Sequence, residues 1–121
     1  MQITGTFTEG IITEDGRILR DFTLVEQTFR TTLEIAHDQD IDKDLINDEV
    51  YYSACLVAKR LSVDGLDKVT PEQVLDLSAL DSAELTGQIY SLERQRSNFR
   101  SAAQAAAEER ARAAEAGTDP A

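Results

Sequence analysis

The chain has 121 residues, with 12 Lys+Arg against 23 Asp+Glu and a formal net charge of −11, a length that suits one domain better than two. Hydrophobic residues make up 41% of it, enough to build a core, while the charge repels phosphate backbones and anionic lipid and argues against nucleic-acid or membrane-surface partners. No apolar run nears the ~20 residues that span a bilayer, no signal-peptide pattern opens the chain, and the single Cys55 cannot pair internally, so the expectation is a soluble cytoplasmic protein.

Thr6 to Thr13 is rich in β-branched residues, Glu14-Asp15-Gly16 has turn chemistry, and Arg17 to Leu24 places Ile18, Phe22 and Leu24 on one face. The pattern predicts a β-hairpin, with Gly10 marking a bulge or a close approach in the first strand. The period then changes: Val25, Phe29, Leu33 and Ala36 recur at helical spacing and predict an amphipathic helix. From about Asn47 a second helical pattern follows, with Val50, Ala54, Val57, Ala58 and Leu61 on one face, widened by Tyr51, Cys55 and Leu56. So wide an apolar surface predicts the most buried helix, ending near Asp64-Gly65.

Thr70-Pro71-Glu72-Gln73 reads as a short helix start, with Thr70 as cap, Pro71 at the first position and Gln73 at the third. Asp81-Ser82-Ala83-Glu84 repeats that logic with Asp81 as cap and opens the longest helical pattern in the chain. Along it Leu85, Ile89, Leu92, Phe99, Ala103 and Ala106 form a heptad-like seam if Arg96 fills the gap. Beyond Phe99 only alanines occupy the stripe; they favour helix but bury little surface, so the extension is expected to be helical without docking firmly. Gly117 to Ala121 is expected to fray. These elements predict an α+β fold, an N-terminal β-hairpin packed on three to four helices with a long C-terminal helix. The boundary falls at residue 100, with 1–100 as the folded domain and 101–121 as an alanine-rich extension.

Charge divides the chain in nearly the same place. Residues 1–92 hold 7 basic and 18 acidic side chains, and residues 93–121 hold 5 of each. The densest block runs from Asp38 to Glu49, six carboxylates and Lys43. Counting Asp38 as position one, Asp40, Asp42, Asp44 and Glu49 fall at three, five, seven and twelve, the carboxylate spacing of a calcium-binding loop between helices. Lys43 stands where that loop needs glycine for its sharp turn. A solvated acidic connection explains the block more simply.

Catalytic patterns are missing. Cys55 lies on an apolar helix face, His37 sits at a helix end beside carboxylates, and there is no phosphate loop, CxxC or HExxH. The arginines Arg94, Arg96, Arg100, Arg110 and Arg112 are balanced by Glu93, Glu108, Glu109 and Glu115, which fits a salt-bridged surface helix better than an RNA-binding arm. The residues point to no enzyme, no cofactor and no resident metal.

The order of parts resembles a known family. The Asp15-Gly16 hairpin, the strand ending Phe22-Thr23-Leu24, the helical stretch Tyr51 to Leu61, and above all Val69-Thr70-Pro71-Glu72-Gln73-Val74-Leu75-Asp76-Leu77-Ser78-Ala79-Leu80-Asp81-Ser82-Ala83-Glu84-Leu85 leading to Leu92-Glu93-Arg94 and Phe99 are similar to the tail assembly chaperones of Mu-like phages and prophages. The likeness covers roughly residues 6–100. It departs in the heavier acidic connection and at Val25-Glu26, where related chains often carry basic residues.

The resemblance implies a non-enzymatic role in the host cytoplasm: binding the long helical tape measure protein, keeping it soluble until tail tube protein polymerises around it, then leaving, so that the chaperone is absent from the mature virion. A longer frameshifted product of the same gene often accompanies such proteins. Helix-in-groove recognition needs anchors at i, i+3, i+4 and i+7, and Leu85, Ile89, Leu92 and Phe99 have that spacing and are the candidate partner-binding residues. The first three suit the core better, packed on the helix around Val57 and Leu61, because a small domain needs its large aliphatic residues inside. The alanine stripe suits helix-on-helix packing in a homo-oligomer. Two other readings compete: a calcium-binding module at Asp38 to Glu49, and an acidic DNA mimic that blocks a nucleic-acid enzyme, which would need carboxylates spread over one face rather than clustered in a connection.

Overall fold

The structure, a computed structural model, describes residues 1–117. Two antiparallel strands, β1 (Gln2–Ile12) and β2 (Ile18–Val25), form the expected hairpin. Gly16 takes φ +86° in its turn, and the Thr13 N–H donates to the Arg17 carbonyl at 2.9 Å. The register runs evenly from Gln2↔Val25 to Thr6↔Asp21 and resumes at Ile11↔Leu19, so β1 advances five residues where β2 advances two. That bulge contains Gly10 at φ +89°, where a Cβ would meet the Leu19 carbonyl oxygen at 2.6 Å, which is why the position is glycine. The bulge turns Phe7 onto the face of Phe22, ring centroids 4.4 Å apart, and both are fully buried. Phe22 and Leu24 share the buried face as expected, while Ile18 lies beyond the core near the turn and is exposed.

Helix α1 (Phe29–His37) leads through an irregular connection to α2 (Glu49–Arg60). The chain then enters a short strand, β3 (Leu61–Val63), instead of continuing the helix as the apolar pattern predicts. Leu61 pairs with Leu24 and Val63 with Phe22, giving an antiparallel sheet ordered β1-β2-β3. Leu61 and Val63 alternate inward around exposed Ser62, a period of two too short to register against the helical stripe before it. Val50, expected on the buried face of α2, is exposed; Tyr51, Ala54, Cys55 and Ala58 carry that face.

Helix α3 (Pro71–Leu75) starts as the sequence predicts. The Thr70 hydroxyl accepts from the Gln73 N–H at 3.2 Å, and the Gln73 side chain accepts from the Thr70 N–H at 2.9 Å, a reciprocal cap. Helix α4 (Ala79–Gly117) is longer than the other three together and begins two residues before Asp81. Ser78, not Asp81, caps it, its hydroxyl accepting from the Asp81 N–H at 3.1 Å. The expected fraying of Gly117 to Ala121 falls almost wholly outside the described residues, and the helix itself reaches Gly117.

Two clusters make the core. The larger joins the sheet to α4 through Phe7, Phe22, Leu24, Leu61, Val63, Leu85 and Leu92; the smaller packs Ile35 and Ile41 on Tyr51 and Cys55 across the other side of α2. The fold is α+β: a three-stranded antiparallel sheet, several helices, and a long C-terminal helix that outruns the body.

Candidate functional site

Helix α4 is fixed at its root by one carboxylate. Asp81 is completely buried, and its two oxygens accept backbone N–H bonds from the β1 bulge: Thr8 at 2.7 Å, Gly10 at 2.8 Å, and Glu9 at 3.2 Å. Burial pushes this carboxyl up, but the donors from Gly10, Glu9 and Thr8 together outweigh it and hold it below the usual carboxylate range. Leu85 and Leu92 follow on the same face with 4% and 0% exposure, and Ile89 packs half-buried between them. The sequence-predicted seam is therefore brought onto the core as far as Leu92. A partner could reach Leu85 or Leu92 only by opening the domain.

Beyond Leu92 the body ends and ion pairs take over. Arg60, 5% exposed, donates to the Val25 carbonyl at 3.0 Å and reaches Glu93 at 3.5 Å. Glu26 accepts from the Met1 ammonium at 3.2 Å through one oxygen and forms an ion pair with Arg96 at 3.2 Å through the other. From Ser97 to Ala116 every residue is exposed, so about 30 Å of helix at 1.5 Å per residue lies outside the packed core. Phe99, 65% exposed, sits where the helix leaves the body.

The helix and the body enclose two adjoining clefts there. One of about 930 Å³ is lined by Met1, Glu26, Thr28, Arg96, Phe99, Arg100, Ala103 and Gln104. A second, about 440 Å³, lies between Glu93 and Arg96 on α4 and Gln27, Thr28, Phe29 and Thr32 at the start of α1. They share Thr28 and Arg96. The stripe Val25, Phe29, Leu33 and Ala36, read from spacing as the buried face of α1, points to solvent instead: Phe29 is 90% exposed, and Thr31 and Ile35 face inward. The two clefts meet at Thr28 and Arg96 and together make one groove, with exposed Phe29 of α1 lining its smaller part and exposed Phe99 of α4 its larger part. Of the candidate partner-binding residues, Phe99 lines it; Phe29, Thr28 and Met1 join it without a distinctive sequence signal, because spacing alone cannot tell an inward stripe from an outward one.

The acidic connection is built differently from a calcium loop. The Lys43 ammonium turns inward and donates to the carbonyls of Ile35 at 3.1 Å, Ala36 at 3.4 Å and Asp38 at 3.0 Å, closing the C-terminal end of α1. Asp38 is paired with Lys59 and, at 2.8 Å, with Lys68; those ammonium groups hold its carboxyl far below the ordinary range. Asp42 and Asp44 are joined by a local turn, Asp42 Oδ1 accepting from the Asp44 N–H at 2.9 Å, and Asp48 caps α2 through the N–H groups of Val50 and Tyr51. Among the described residues no three His, Cys, Asp or Glu side chains converge on a point that could hold a metal ion. Cys55 is fully buried, and burial pushes its thiol up, which keeps it in the unreactive protonated form. Among the described residues no helix is long and apolar enough to cross a membrane.

Compared with known proteins, the chain matches no family model, no curated protein sequence and no solved structure.

Proposed function

We propose that this protein is a phage tail assembly chaperone that holds a helical segment of the tape measure protein in the groove between α1 and α4, and releases it to tail tube protein in the host cytoplasm. The observation that carries this reading is the pair of exposed phenylalanines, Phe29 and Phe99, over clefts that meet at Thr28 and Arg96. A small domain that buries its other phenylalanines completely leaves these two rings in water, where a partner's apolar stripe removes them from it. An open groove with exposed apolar side chains along it suits helix-in-groove docking. The negative charge elsewhere keeps a complex with an aggregation-prone helix dissolved. The resemblance of the hairpin and of Val69 to Leu85 to tail assembly chaperones names the client.

Co-expression with the tape measure protein of the same phage genome tests it. The expected result is a rise in soluble tape measure protein and its co-purification with this chain, both lost in Phe99→Asp while that variant keeps its melting temperature. A tape measure protein that stays insoluble and unbound beside folded wild-type chain overturns the reading.

A further inference from the structure

We infer that the segment held in this groove is an acidic amphipathic helix, one that sets large apolar residues against Phe29 and Phe99 and carboxylates against Arg100. The inference rests on the helix-binding reading above and adds charge to it. The chain as a whole carries −11, yet the groove runs against that balance. Its larger cleft is lined by three cationic groups, the Met1 ammonium, Arg96 and Arg100, and by one carboxylate, Glu26; the smaller cleft adds one carboxylate, Glu93, which is paired with Arg60. Glu26 already serves both Met1 and Arg96. The Arg100 side chain has no ion pair or hydrogen bond among the described residues and is exposed one position from Phe99. A guanidinium with all its donors free, beside an uncovered ring, suits a carboxylate carried on the rim of an apolar stripe.

The α4 extension of a second copy matches the charge through Glu108 and Glu109 but not the apolar surface. From Ala102 to Ala116 its largest apolar side chain is alanine, which leaves both phenylalanine rings wet. A separate helix with leucine-sized anchors covers them.

Two synthetic helical peptides decide the matter, with identical apolar residues at i, i+3, i+4 and i+7 and either glutamates or lysines flanking them. Binding to the full chain is read by fluorescence anisotropy at low and high salt. The glutamate peptide is expected to bind about tenfold more tightly at low salt, with the gap closing as salt screens it. In Arg100→Glu the preference is expected to vanish or reverse, with the melting temperature unchanged. Equal binding of both peptides, or an unaltered preference in Arg100→Glu, overturns the charge and leaves helix binding standing. Failure of both peptides on folded wild type overturns helix binding and the charge together. A dimer in sedimentation that the glutamate peptide does not dissociate makes a second copy the occupant and also overturns the inference.

Discussion

Asp81 does at the scale of one residue what a loop would need several contacts to do. Its carboxylate satisfies three consecutive backbone donors that the β1 bulge removes from the sheet ladder, and Gly10 supplies the positive φ that aims the third. A carboxylate accepts on both oxygens, whereas an amide turns two hydrogens toward N–H groups that need an acceptor. Asp81→Asn is therefore expected to cost about 2–3 kcal/mol, read as a lower urea midpoint with unchanged slope. The sequence misleads here: Asp81 stands near a helix start and reads as its cap, yet Ser78 fills that place; the partners of Asp81 lie 71 to 73 residues away, and nothing local marks a carboxylate for a distant bulge. The Thr70 and Gln73 cap, by contrast, is complete within four residues and was legible in full.

At the scale of elements, periodicity identified the helices but not always their inward faces. In α1 the stripe through Phe29 and Leu33 and the one through Thr31 and Ile35 differ by two positions, and the first is the more apolar, yet Ile35 is buried and Phe29 is exposed. The choice is made by α2, where Tyr51 and Cys55 offer Ile35 and Ile41 a socket, and by Lys43 reaching back to the helix end. In α4 the same apolar seam changes role along its length, core at Leu92 and surface at Phe99. Leu92→Ala is expected to lose about 3 kcal/mol through the cavity it leaves, and Phe99→Ala less than about 0.5 kcal/mol, by thermal or urea unfolding. The heptad spacing carries on through both positions with only Arg96 in the gap between them, so spacing alone could not show where the body stops. The unmatched exposure of Phe29 is the part of the groove that spacing concealed altogether.

Over the whole molecule two opposing charge effects meet. Acidification relieves the self-repulsion of an acidic chain, but it also protonates Asp38 and Asp81, both held below their ordinary range in the fold. A depressed carboxyl contributes stability that is complete above its unfolded value, near pH 4, and is lost as pH falls through its folded value. The melting temperature is thus expected to change little from pH 7 to 5 and to drop steeply below pH 4, with a shallower drop in Asp81→Asn. The α+β class and hairpin were legible because they rest on local pattern; β3 was not, since three residues matter only once β2 is beside them. The Asp81 clamp also sets an order of events during synthesis. The hairpin is complete by residue 25, but the N–H groups of its bulge cannot be engaged until residue 81 has been made, and Leu92 must follow before the core closes. The first strand thus waits for the last helix, a long-range dependence that slows folding and exposes the sheet in the interval. A nascent chain stalled before α4 should hold a hairpin that any passing strand can join, so completion of the C-terminal helix commits the N-terminal sheet to one partner.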